Sequence, residues 1–318
     1  MAKLKPIKLV IPALALSALF SCGQSQAKKK IYIAWSDRQT SYSFISTLKT
    51  VEAIGCAPIV LDMVKSSDVQ YGEGGDLLNA VDEHGILLSE YAEKVKANSW
   101  KHSNVADIAK DVDCVIFPGG SDICPTLYSE PQPWHGIESE TDYSAVRDVS
   151  DYILMSYCLK MNIPMFAICR GMQMLSVVSG ATLTQDIPTF FEQMGASDQE
   201  THRDKEKKVF ASHDVDISDT SSLLYRITKT EKLLKVPSWH HQGVLSVSNT
   251  LLTATAETVT SGIKIIEAVE RNDLTFCLGV QFHPEVAVRK WVDKESDADS
   301  YMDYDSAASF FNALANHN

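Results

Sequence analysis

One stretch of this chain limits its fold more than any other: residues 164–180. The apolar run at 165–168 has the length and composition of a buried parallel strand. Cys169 follows at its end. Beyond Arg170 and Gly171, apolar residues recur at Met172, Leu175 and Val178 with helical spacing, and Gly180 stands where a helix would stop. The local pattern is strand, sharp turn, helix, with a thiol at the turn. Ala167 and Gly171, two before and two after the cysteine, are small enough for strand and helix to approach closely. Such a turn forces the cysteine into a strained conformation with its side chain pointing into open space.

This is the cysteine version of the nucleophile elbow. A helix N-terminus favours thiolate over thiol, and the N–H of Arg170 points toward where an oxyanion would form. The competing reading makes Cys169 one more buried small hydrophobe.

The surrounding chain supplies a sheet for the elbow. Residues 31–35 read as a first strand, 44–54 as a helix stopped by Gly55, and 58–61 as a second strand. A β-α-β opening of this kind predicts a parallel sheet. Residues 113–117 form the third strand, which ends at Pro118-Gly119-Gly120-Ser121-Asp122. Paired glycines at a strand's end allow a ligand to approach the backbone. A long crossover helix over 142–160 then leads to the elbow strand. Residues 64–110 are less regular and read as an insertion on the sheet, with amphipathic helices near 76–81 and 86–95. It is expected as a lid, a subunit contact or, most simply, a solvated decoration. After the elbow, 209–217 alternates like an antiparallel strand, and a loop carries Pro237-Ser238-Trp239-His240-His241-Gln242. Residues 263–270 and 274–280 read as a hairpin turning near Asn272. Residues 293–305 are acidic, and Ala307, Phe310, Phe311 and Leu314 mark a closing helix. The expected class is α/β, a doubly wound, mostly parallel sheet flanked by helices.

A thiolate nucleophile needs a base to collect and return a proton, and the base needs an orienting group. Gln281-Phe282-His283-Pro284-Glu285 supplies both. In extended chain, residues two apart share a face, so Glu285 can accept from one imidazole nitrogen while the other faces a thiol. Placed at a strand's end like Cys169, the pair can meet it above the sheet's C-terminal edge, where doubly wound folds carry their sites. Alone, a histidine beside a proline is an ordinary surface or core residue. The ordered conjunction of Gly-Gly turn, elbow and His-x-Glu is far more specific.

With these pieces in hand the chain resembles the class I glutamine amidotransferase-like superfamily, a flavodoxin-like fold. Within it, the chain is similar to the γ-glutamyl hydrolase branch of peptidase C26 type, which includes bacterial γ-glutamyl-γ-aminobutyrate hydrolases. The residues that carry this are 119–128, 168–173, 180–186, His240-His241-Gln242 and 279–285, in that order. The resemblance implies a Cys169–His283–Glu285 triad and an oxyanion hole from the N–H groups of Gly120 and Arg170. It also implies that Gln173 and His241 lie near the γ-glutamyl group, and that a γ-glutamyl thioester forms and is hydrolysed without metal or organic cofactor. A homodimer is compatible with it. Cys124 departs from the asparagine common at that place, and Pro237 from another asparagine; the insertion is longer than relatives carry.

The N-terminus predicts location. Lys3, Lys5 and Lys8 precede an apolar run over 9–20 that is short for a membrane span. Leu19-Phe20-Ser21-Cys22-Gly23 resembles the lipobox of bacterial lipoproteins, apart from the bulky Phe20. The reading is a signal peptide over 1–22 with lipidation at Cys22, a tether over 23–30, and one hydrolase domain over 31–318. Acyl chains on Cys22 would hold an exported, periplasmic domain at a bacterial membrane surface without spanning it. A plain secretory signal is the alternative.

Composition excludes other classes. The 318 residues carry a formal charge of −12 with no long basic stripe, which argues against a nucleic-acid partner. The 7 cysteines include no C-x-x-C pair, so neither a zinc ribbon nor a disulfide scaffold is indicated. Two rivals to an exported γ-glutamyl hydrolase are a glutaminase subunit that hands ammonia to a synthetase and a lipoprotein that binds γ-glutamyl ligands without turnover. An exported chain with no fused synthetase disfavours the first, and the three triad residues disfavour the second. The leaving group is not encoded in any readable motif.

Overall fold

The computed structural model describes residues 28–197, 201–204 and 209–317. The expected signal peptide, tether start and Cys22 lie outside them. Among the described residues no helix is long and apolar enough to cross a membrane.

One mixed sheet organises the chain. Its strands run in the order Ala57–Val60, Lys30–Ile33, Val115–Phe117, Met165–Ile168, Cys277–Val280, Ile263–Glu270, Thr253–Thr260, Ala211–Ile217 and Lys232–Ser238. The first five pair in parallel. From Cys277–Val280 onward every pair is antiparallel. The central strands are thus parallel, as the β-α-β opening predicts, with an antiparallel extension on one side.

The elbow strand sits in the middle of the parallel half and is buried along its whole length. Its side chains alternate between two cores, as strand geometry requires. Met165 and Ala167 join the cluster under the long helix Ala145–Met161, while Phe166 and Ile168 join the cluster under the closing helix Tyr304–Ala315. Phe166 stacks on Phe310 at 5.7 Å between centroids and meets Phe311 edge-on at 5.3 Å. Each such aromatic pair adds about 0.5–1.5 kcal/mol beyond burial. The last helix is thereby pinned to the strand that carries the thiol.

Two expectations for the insertion are corrected. Residues 76–81 are not helical: Leu77–Leu78 pairs with Gln70–Tyr71 as a small antiparallel hairpin. Gly72, Gly74 and Gly75 make the turn, and Asn79 adopts φ 55°, which a helix cannot contain. The second helix is real and spans Ser89–Asn98. Nor is the insertion a solvated decoration. Val69, Leu77, Ala80, Ile86, Leu87, Ala92, Val95 and Val105 are buried in the main core. The Leu87 N–H donates to the Cys124 sulfur at 3.3 Å, and Thr126 Oγ1 donates to the Leu87 carbonyl at 2.7 Å. Lys96 Nζ donates to the carbonyls of Thr126 and Tyr128, each at 3.2 Å. The insertion therefore braces the loop that follows Gly119-Gly120.

Smaller boundaries also shift. The second strand of the 263–280 hairpin begins only at Cys277, and Pro237 and Ser238 belong to a strand, so the histidine loop begins at Trp239. The acidic segment is partly neutralised, since Lys290 Nζ donates to Glu295 at 2.9 Å and to Asp297 at 2.8 Å.

Candidate active site

Cys169 caps the helix Arg170–Val178 at φ 51°, ψ −105°, a region that a non-glycine residue occupies only under constraint. The constraint comes from both sides. The Cys169 N–H donates to the Val280 carbonyl at 2.7 Å, and the Cys169 carbonyl accepts from the Gln173 N–H at 3.0 Å. Gly171 makes the turn sterically feasible, because a Cβ there would lie 2.3 Å from the Phe117 carbonyl oxygen. The sulfur lies 3.9 Å from the Trp239 carbonyl oxygen and accepts from Gln281 Nε2 at 3.5 Å.

His283 and Glu285 reach this thiol, but not from extended chain. His283 is the N-cap of the helix Pro284–Asp293, and Glu285 lies in its first turn. Pro284 takes the position where a missing N–H costs nothing. His283 Nδ1 bonds Glu285 Oε1 at 2.7 Å, which turns the opposite ring edge toward Cys169. The His283 N–H donates to the Pro237 carbonyl at 2.8 Å, and Phe210 packs edge-on against the ring at 5.1 Å. Gly119 gives the ring its room: a Cβ there would sit 2.7 Å from His283 Cε1. Burial pushes the imidazole's pKa down, but the Glu285 carboxylate, and then the Cys169 sulfur, outweigh burial and raise it to about 10.

Ser43 was not signalled by the sequence, yet its Oγ donates to Glu285 Oε1 at 2.7 Å and lies 3.4 Å from His283 Nδ1. It sits one residue into the helix Tyr42–Ala53, in a context of other serines that gave no hint of its place.

The two expected oxyanion donors stand on neighbouring strand ends. Gly120 is exposed in the loop after Val115–Phe117. Arg170 opens its helix, so its N–H is one that the helix leaves without an internal acceptor. The Arg170 side chain does something else: it is fully buried and pairs with Asp148 and Asp151. Arg147, on the same helix as those aspartates, donates to the carbonyls of Pro118 at 2.9 Å and Gly119 at 3.0 Å. Asp148 Oδ2 accepts from the Cys124 N–H at 2.8 Å. This buried ion network ties the elbow to the Gly-Gly loop. Its one sequence signal is Arg147, Asp148 and Asp151 on a helix otherwise built to be buried.

Gln173 and His241 are placed differently from each other. Gln173 is buried, and its Nε2 donates to the Gln242 carbonyl at 3.0 Å and to Gln281 Oε1 at 3.3 Å, so its amide reaches the thiol only through Gln281. His241 lies between two carboxylates, with Nε2 at 2.9 Å from Asp122 and Nδ1 at 3.1 Å from Asp186. Burial lowers its pKa, yet the bonds to Asp122 and Asp186 prevail and raise it to about 9. Asp186 also lines a cleft of about 1210 Å³ with Trp134, Gln185 and Phe190, and Cys169 is not among the residues lining it. Cys124 is fully buried beneath the insertion; burial first, then Asp148, pushes its thiol's pKa well up.

Known proteins resemble this chain in sequence and in fold. Protein NtpR of Enterococcus hirae is 37% identical over 55% of this chain and 67% of its own length. Gamma-glutamyl-gamma-aminobutyrate hydrolase PuuD of Escherichia coli K12 is 31% identical over 55% of this chain and 64% of its own length, just under two thirds. In fold, the Trypanosoma brucei CTPS glutaminase domain with bound acivicin superposes with a TM-score of 0.50 over 92% of this chain and 95% of that one, at 18% identity. The Peptidase C26 model matches residues 95–285, from the insertion's helix to the last residue of the His-x-Glu pair, and the chain belongs to that family.

Proposed function

We propose that this chain is a cysteine hydrolase that cleaves the γ-glutamyl amide bond of a small γ-glutamyl amide or peptide. The observation that carries the reading is a strained cysteine at a helix N-terminus facing an imidazole held between sulfur and carboxylate. In this mechanism the Cys169 sulfur attacks the γ-carbonyl carbon. The oxyanion is received by the N–H groups of Gly120 and Arg170. The C–N bond breaks as His283 gives its proton to the leaving amine. Water then enters, His283 takes one of its protons, the oxygen bonds the thioester carbon and the C–S bond breaks, which releases glutamate and restores the thiolate. Glu285 holds the ring and stabilises its protonated form, as the raised pKa requires.

The test is a panel of γ-glutamyl amides given to the purified chain alone, with mass spectrometry of the acyl-enzyme. The expected result is release of glutamate without any partner protein and a γ-glutamyl adduct on Cys169 that is absent from Cys169→Ala. Labelling of Cys169 with no turnover until a synthetase is added would favour the glutaminase-subunit reading. Binding of γ-glutamyl ligands with neither labelling nor turnover would leave only a binding protein.

We also propose, from the N-terminal sequence, that the domain is exported and anchored through acyl chains on Cys22. Membrane association lost in Cys22→Ala is the expected outcome, and wild type found wholly in the soluble fraction of the cell refutes it.

A further inference from the structure

Behind the histidine loop lies a second group of titratable residues that the proposed hydrolysis does not use. His202 comes from the segment 201–204, His213 from the strand Ala211–Ile217 and Glu267 from the strand Ile263–Glu270. His240 follows Trp239 in the loop beside the thiol. Glu267 is fully buried and His202 is 1% exposed. Both nitrogens of His202, Nε2 of His213, Nε2 of His240 and both carboxylate oxygens of Glu267 are buried without a hydrogen bond among the described residues. Each such atom costs about 1–3 kcal/mol if nothing receives it.

The geometry of these orphaned atoms is specific. His202 Nδ1 lies 3.5 Å from Glu267 Oε1, and His213 Nε2 lies 3.8 Å from the same oxygen. One ligand atom from each of the three residues falls within 4.8 Å of the other two. Two donors bound to zinc at about 2.0–2.1 Å in a tetrahedron stand about 3.4 Å apart. The second sphere is also in place. The Nδ1 of His213 lies 3.1 Å from the Asp214 carbonyl, and the Nδ1 of His240 lies 2.9 Å from the Gln242 carbonyl. Both rings thereby carry their lone pair on the buried Nε2. The His240 ring lies 4.8 Å from that of His202, and the His202 ring 5.3 Å from that of His213.

We infer that His202, His213 and Glu267 bind a divalent transition metal ion, with zinc the best match to this donor set, and that His240 is the fourth ligand. Nitrogen and oxygen donors in a buried, four-membered set suit a closed structural site rather than a catalytic one. The ion would tie the segment 201–204 and two antiparallel strands to the loop whose next residues are Trp239, against the thiol, and His241, between Asp122 and Asp186.

The experiment is elemental analysis of the full chain purified without a metal-affinity step, followed by thermal unfolding. The expected result is about one zinc per chain, a melting temperature that falls on chelation, and its recovery when zinc chloride is added back. Cys169→Ala keeps the ion, whereas His213→Gln and His202→Gln lose it and no longer respond to chelator. Cobalt exchanged into wild type gives visible d–d bands without a thiolate charge-transfer band, a readout that does not depend on any variant folding. No stoichiometric metal together with a melting temperature indifferent to zinc would overturn the site. A thiolate band, or metal lost in Cys169→Ala, would overturn it by placing the ion on the nucleophile instead.

Discussion

Cys169 and His283 arrive at the same rim by opposite kinds of construction. Cys169 is held mostly by what adjoins it in sequence: a strand buried on both faces before it, a helix after it, and Gly171 to let that helix close on Phe117, with the Val280 carbonyl on the next strand as its one remote backbone partner. His283 is held by residues remote in sequence, namely the Pro237 carbonyl, the Glu285 carboxylate that Ser43 orients, the Phe210 ring and the space left by Gly119. A nucleophile under local strain keeps its geometry whenever its own strand and helix form beside the adjoining Cys277–Val280 strand. A base assembled from distant parts keeps its geometry only when the whole sheet is closed. The thiol should therefore stay in place under perturbations that misalign the imidazole.

The contrast can be broken or sharpened by substitution. The largest effect is expected from Cys169→Ala, which removes the nucleophile: turnover of γ-glutamyl amides falls by about 10³–10⁴-fold or more, while the melting temperature scarcely moves. A variant that kept a tenth of wild-type turnover would end the nucleophile assignment. Next comes Glu285→Gln, expected to lower kcat by about 10²–10⁴-fold. His283 owes its raised pKa to that carboxylate once burial is overcome, so the alkaline limb of the pH profile, near 10 in wild type, moves down in the variant. An unmoved limb would mean that Glu285 does not orient the base. The same shift contributes stability that is fully present below the imidazole's unfolded value, about 6.5, and is lost as pH rises through about 10; for His241 the loss is complete near 9.

Arg170→Met tests the link between the elbow and the Gly-Gly loop. It leaves Asp148 in the core with only the Cys124 N–H and Asp151 with Arg147 alone, and removing one partner of a buried ion pair costs about 3–5 kcal/mol. Chemical denaturation reads this directly, and a cost below about 1 kcal/mol would show that the network contributes little. Gly171→Ala should cost about 1–3 kcal/mol through overpacking against the Phe117 carbonyl, with thiol labelling retained if the strand and helix still form. An effect of the same order belongs to Ser43→Ala. Losing one hydrogen bond to the Glu285 carboxylate removes about 1.5–3 kcal/mol at most, and it should appear in kcat with little change in KM.

How much of this could be read from the sequence follows from the same distinction. The elbow, the parallel strands and the crossover helix are legible because each is written in a local period of two or of 3.6 residues. Loss of period explains the misread hairpin at Leu77–Leu78, where paired glycines and Asn79 imitate the edge of a helix. Pro284 reads as a stiffener of extended chain, whereas it opens a helix, since proline suits both settings and only the tertiary context decides. The strands Lys232–Ser238 and Thr253–Thr260 are hard to read because Lys235 and Pro237 interrupt the first and threonine and alanine leave the second without a strongly apolar face. Pairings across the sheet, such as Ser43 with Glu285, Arg170 with Asp148, or His202 with Glu267, leave no local trace at all.

The brace formed by the 64–110 segment has a consequence of its own. Lys96 and Leu87 grip the loop beyond Gly120 from a hairpin-and-helix unit that donates no atom to the proposed chemistry. Trimming that unit would remove the bonds that fix the loop beyond Gly120, while the bonds of Cys169, His283 and Glu285 to their own partners involve none of its atoms.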